Sequence, residues 1–145
     1  MENLLTVALM AMLPISELRG SIPAGVLMFG LPLWQVFLIS VIFNALAFFP
    51  IFFGLEFFYD KVFKRWNLPV RLLNRSRNRA KPYIRRYGIV GLALFVAVPL
   101  PLTGAWTGTE AAWVLGLGWK KSFLAVTMGV LLSGTIITML VSLIA

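Results

Sequence analysis

Leu13-Pro-Ile-Ser-Glu-Leu-Arg-Gly-Ser-Ile-Pro-Ala-Gly25 places a carboxylate, Glu17, two residues from a guanidinium, Arg19. The sequence that follows is apolar enough to lie in a bilayer, with no charge between Arg19 and Glu56. A charge at the centre of a membrane helix costs roughly 2.5–3.5 kcal/mol on insertion scales, so such residues face a partner or a polar cavity. Pro14, Gly20, Pro23 and Gly25 bracket the pair with helix breakers. Non-helical backbone survives at membrane depth only where protein or water satisfies its amides. The stretch therefore reads as a broken polar loop inside a membrane. Glu17 and Arg19 are the first functional candidates, and Ser16 and Ser21 are hydroxyls able to satisfy the broken backbone.

Composition agrees. The 145 residues are 60% hydrophobic and 12% charged, with mean hydropathy +0.91. Two stretches exceed the ~20 apolar residues that cross a bilayer as a helix, so the chain reads as one integral membrane domain. The absence of cysteine and histidine excludes disulfides and thiolate metal sites and removes the commonest metal ligand. Proton chemistry falls to five acids, Glu2, Glu17, Glu56, Asp60 and Glu110. No cofactor or metal site is expected, and with no acid pair at metal-ligand spacing an enzyme is disfavoured. The N-terminus reads as retained, because Glu2 replaces a basic start and no small-residue cleavage site follows. Net charge of +8 does not point to nucleic acid. Ten of thirteen basic residues (Lys61, Lys64, Arg65, Arg71, Arg75, Arg77, Arg79, Lys81, Arg85, Arg86) fall in one block, as the positive-inside rule requires of a cytoplasmic connector.

Outward from the opening stretch, residues 3–13 are too short to cross alone, about 16 Å at 1.5 Å per residue. With residues 21–30 they suggest a re-entrant hairpin over about 3–30 that enters and leaves by one face. A transmembrane helix follows over about 33–58, anchored by Trp34 and Tyr59, kinked at Pro50, with Asn44 bonded to a neighbouring helix. Residues 60–88 form the basic connector. There Val70, Leu73, Ala80, Ile84 and Tyr87 make an interfacial stripe that Arg77 interrupts and Pro69 and Pro82 limit. The pattern then starts again. Ile89–Val98 is a short apolar piece, and Pro99-Leu-Pro-Leu-Thr-Gly-Ala-Trp-Thr-Gly-Thr-Glu110 a polar break. Pro99, Pro101, Thr103, Gly104, Trp106, Thr107 and Gly108 mark the second tip, and a helix over about 120–145 closes the chain.

Lys120 and Lys121 share the connector's side of the membrane only if residues 89–118 are also re-entrant. That puts the connector in the cytoplasm and both termini outside, and inverts residues 1–59 relative to 89–145. At a shift of 86, Gly30-Leu31 falls on Gly116-Leu117 and Phe37-Leu38 on Phe123-Leu124. The expected fold is thus an all-α polytopic membrane protein built as an inverted repeat, each half a re-entrant helical hairpin followed by a transmembrane helix.

The returning half-helices are expected to begin near Ser21 and near Gly104, aiming two positive dipole ends at the midplane. Arg19 adds a planar donor fork. Together they favour an anionic group, either a substrate headgroup or Glu17 and Glu110 themselves. Desolvation and the Arg19 charge act on the proton affinity of Glu17 in opposite directions. Glu110 has no basic neighbour in sequence. It suits a proton carrier, a partner of Arg19 across the halves, or a protonated structural acid. Three readings stay open: movement of an anionic lipid or lipid phosphate held by Arg19, export of small cations held by the carboxylates, and a structural subunit with a static ion pair. Few spanning helices argue for a homodimer to enclose a path, with membrane lipid, small-molecule substrate and protons as the other partners.

At Pro14-Ile-Ser-Glu-Leu-Arg-Gly-Ser-Ile-Pro23 and Pro99-Leu-Pro-Leu-Thr-Gly-Ala-Trp-Thr-Gly108 the chain resembles the small multidrug export proteins, relatives of the DedA superfamily. The resemblance implies inverted re-entrant hairpins and a prokaryotic inner (plasma) membrane location. It also implies a flippase-like movement of anionic lipid such as undecaprenyl phosphate, coupled to protons, with Glu17 and Arg19 matching the first motif.

Overall fold

Long apolar runs interrupted by proline and glycine give helices broken where the breakers fall. The computed structural model describes residues 1–63, 65, 67–101 and 103–145, without the side chains of 63, 67–69, 73, 76, 79–81 and 83–85. Among these residues all regular structure is helical: α1 (Glu2–Met12), α2 (Glu17–Pro23), α3 (Leu33–Leu46), α4 (Phe48–Phe58), α5 (Asn67–Ala97), α6 (Ala105–Val114) and α7 (Trp119–Ile144). The first half runs short helix, break, short helix, long helix, and from a kink at Gly88 within α5 the chain follows the same order again.

In the first half, α2 begins at Glu17 rather than near Ser21, so the break narrows to residues 13–16 and Arg19, Gly20 and Ser21 are helical. Pro23 lies inside α2. Its ring removes the bond to the carbonyl four residues back, and the chain answers by widening into a π-turn over Ala24–Met28. The return packs tightly: a Cβ on Gly25 would lie 2.7 Å from Val36 and 3.1 Å from Val7.

Helices α3 and α4 form one apolar run of 30 residues, Leu33–Val62, longer than the expected 33–58. It is segmented at Ala47, where Pro50 leaves the Leu46 carbonyl without its amide. Helix α7 is the second long apolar helix. It runs antiparallel to α3 and α4: Phe53 meets Trp119 at 5.9 Å between ring centroids, Phe49 meets Phe123 at 4.8 Å, and a Cβ on Gly134 would lie 2.8 Å from Val41. The Phe48, Phe49, Phe52 and Phe123 rings make this a packed aromatic seam. The outer face of α7 stays apolar along its length, with Leu124, Met128, Leu131, Ile136, Leu140 and Leu143 exposed. Such a face suits lipid rather than water, and the chain is a membrane protein.

The connector differs from expectation. Helix α5 runs through Pro69 and Pro82 to a kink at Gly88 (φ 35°, ψ −123°). Pro69 sits in the first turn, where its missing N–H is free anyway. Pro82 forfeits one bond, to Asn78, on an exposed face. Lys64 lies outside the described residues, as do the side chains of Leu73, Arg79, Ala80, Lys81, Ile84 and Arg85, so the expected stripe is described only at Val70 and Tyr87. Beyond Gly88 the helix packs on α7, where a Cβ on Gly129 would lie 2.7 Å from the Ala93 carbonyl.

Gly129→Ala therefore lowers thermal stability in detergent micelles by the equivalent of about 1–3 kcal/mol. Gly118→Ala, with nothing within 4 Å of the added carbon, stays within about 0.5 kcal/mol of wild type; circular dichroism melting curves check both.

Candidate functional site

The carbonyls at the end of α1 lack helical partners, and three side chains supply them. Ser16 donates its hydroxyl to the Met10 carbonyl, Asn44 Nδ2 donates to Ala11 at 2.7 Å, and Trp106 Nε1 to Met12 at 2.8 Å. Ser16 belongs to the same hairpin, Asn44 to α3 and Trp106 to the second hairpin. The first tip is thus closed partly by the other half of the chain.

The second tip is closed the same way. Helix α6 starts after Gly104 with free amides, and Glu17 Oε1 accepts the Trp106 amide at 3.1 Å. A carboxylate from one hairpin caps a helix of the other, where the dipole favours negative charge. Glu17 is 4% exposed and has φ 42°, alone at positive φ among the described non-glycine residues. A side chain there strains the backbone by about 1–3 kcal/mol, so the cross-cap holds Glu17 against its own preference.

Arg19 completes the interlock. It donates to the Leu100 carbonyl and, from Nη2, to the Thr103 carbonyl at 3.3 Å, while Nη2 lies 3.6 Å from Glu17 Oε2. Thr103 supports that loop from within, its hydroxyl accepting the Leu100 amide at 3.2 Å and reaching the Leu100 carbonyl at 2.8 Å. Gly104 has φ 131°, and a Cβ there would fall inside the Glu17 carboxylate. Only glycine admits both the backbone and the neighbour. Gly108 has the same role toward Val96, letting α6 lie against α5.

Between the tips Glu17, Arg19, Asn44, Thr103, Gly104 and Ser133 border a cavity of about 10 Å³, the room of about one water. Outside it, Pro14, Ile15, Ser16, Arg19, Gly20 and Pro101 line an open groove of about 450 Å³, so Arg19 has one face toward this groove and one toward Glu17. Ser21 is buried against Ser40 at 2.9 Å and Pro23 shapes the return. Pro99 sits half-buried at the second tip, and Thr107 is half-buried with no side-chain hydrogen bond among the described residues.

Glu110 is not Arg19's partner. Helix α6 already starts at Ala105, which carries Glu110 beyond the tip onto another wall, exposed beside Met12, Pro50, Gly54, Phe58 and Trp106.

A family profile described as "Putative small multi-drug export protein" matches residues 17–136. The chain belongs to that family. No curated protein and no solved structure matches it. Sequence reasoning missed Arg77. The connector arginine donates to the carbonyls of Trp113 at 3.0 Å and Val114 at 3.3 Å and lies 5.5 Å from the Trp113 ring, capping the far end of α6 with the charge its dipole favours. Its interruption of an apolar stripe was the signal.

Two outcomes follow. Gly104→Ala and Glu17→Ala each lower the melting midpoint more than Glu17→Gln, which keeps an oxygen for the Trp106 amide. Arg77→Ala speeds hydrogen exchange of the amides at 114–117 several-fold without changing those at 106–108, read by mass spectrometry.

Proposed function

We propose that this chain is a membrane exporter whose gate is the contact between its two hairpin tips. One observation carries the reading. Side chains of each tip, the charged Glu17 and Arg19 from the first and the Trp106 indole from the second, bind the other tip, leaving room for about one water. A static core is more cheaply built from apolar residues than from a buried ion pair, whereas a contact that must open and reclose needs polar partners that water can replace.

In this reading both hairpins are re-entrant and the halves are inverted, the plan in which broken elements meet near the midplane. The antiparallel long helices support it, as do Gly30 (φ 63°) and Gly116 (φ 76°), which turn the chain at matching points before each long helix. The basic connector lies in the cytoplasm of a prokaryotic inner membrane and both termini lie outside. A proton reaching Glu17 removes the charge that faces Arg19 and the α6 amides, so the tips part; this couples export to protons. The family description supports small drug-like molecules as cargo.

A second reading, movement of an anionic lipid headgroup, is favoured by the face Arg19 turns to the open groove.

The chain has no native cysteine, so Ile15→Cys with Pro101→Cys tests the gate. Bridging the pair with a cleavable bifunctional thiol reagent abolishes proton-driven ethidium efflux from proteoliposomes, and reductant restores it. Efflux unchanged by bridging contradicts the gate. For the lipid reading, translocation of fluorescent phosphatidylglycerol is lost in folded Arg19→Ala; translocation equal to wild type refutes it.

A further inference from the structure

Glu110 stands on α6 in the wall of a groove of about 340 Å³, near the lower end of small-molecule sites. The groove extends from Met12 and Trp106 at the tip contact to Phe58 near the connector. Its surface is otherwise almost wholly apolar and no basic side chain lines it. In the proposed orientation this carboxylate lies at membrane depth, and no described residue lining the groove supplies a counter-charge.

From this we infer that the groove is a binding site for a lipophilic organic cation, loaded beside the closed gate. Three features fit that class. Glu110 provides the single negative charge. Trp106 and Phe58 offer aromatic faces, which attract cations, most strongly when desolvated. Pro50 and Gly54 leave the floor open, since a Cβ on Gly54 would meet nothing within 4 Å. A metal ion is a poorer match, because one carboxylate supplies too few oxygens for a hard cation. An anion is repelled, and a neutral molecule leaves Glu110 unpaired.

The inference deepens the export reading and rests on it for the direction of movement. Trp106 belongs to both groove and gate, its indole bonded to Met12, so an occupant against Trp106 presses on the bond that joins the tips. In the proposed orientation the groove opens toward the cytoplasmic leaflet, where an exporter collects cargo.

The test uses two probes of one shape and opposite charge, tetraphenylphosphonium and tetraphenylborate, with the intact protein in nanodiscs. Wild type binds the cation at least about tenfold more tightly than the anion, a difference of about 1.4 kcal/mol. Glu110→Gln, a conservative change at an exposed site, abolishes that preference, and Glu2→Gln retains it. Gly54→Leu fills the groove without changing charge and weakens binding of the cation. Equal cation binding by wild type and Glu110→Gln overturns the inference, as does binding unaffected by Gly54→Leu. Absence of binding overturns it too, including the case in which a second copy of the chain covers the groove. If binding follows this pattern while proteoliposomes show no efflux of the cation, the groove stands and the export reading fails.

Discussion

The carboxylate of Glu17 against the amide end of α6 is the constraint on which the rest depends. It fixes Gly104, since no other residue leaves space for the acid. It also holds a non-glycine residue in a left-handed conformation at the first position of α2. Once the acid is there, Arg19 two residues on reaches the carbonyls of the opposing tip and shares the charge. The two halves of the chain are thereby joined by polar groups at their most interrupted points, and by apolar packing elsewhere, as at Gly134.

That division of labour has a mechanical meaning. Interfaces such as α5 on α7, where a glycine admits a neighbouring backbone, tolerate little displacement. The tips are different. Their bonds connect side chains to backbone groups at helix ends, groups that water can partner once the tips part. Helix α6 is held by Glu17 at one end and by Arg77 of the connector at the other, so a change at the connector and a change at the gate act on one ten-residue rod. Two grooves carry opposite charge, one showing Arg19 at the tips and one showing Glu110 on α6.

Much of this was legible in the sequence because breakers and charges in apolar surroundings have few explanations. The Gly104 start of α6, the Asn44 bond to a neighbouring helix and the use of Ser16 to satisfy broken backbone all followed from local chemistry. The start of α2 did not. Propensity places a break through Gly20, whereas a tertiary cap on the opposite hairpin makes Glu17 the first helical residue despite its φ. Pro69 and Pro82 failed to stop α5 because one proline sits in a first turn and the other on an exposed face. Of the roles open to Glu110, pairing with Arg19 fails for a geometric reason. Nearness to the second break in sequence did not mean nearness to Arg19, since a helical turn beyond the tip already faces another wall.

The most direct measurement of the central claim is the distance between the tips in lipid nanodiscs, from electron–electron double resonance between nitroxides at Leu13→Cys and Leu100→Cys, both exposed positions. The account predicts one short, narrow distance in the otherwise wild-type chain, and a second, longer population when Glu17→Gln is added. The same single distance in both would contradict it, because the tips would then be held together by something other than the Glu17 carboxylate.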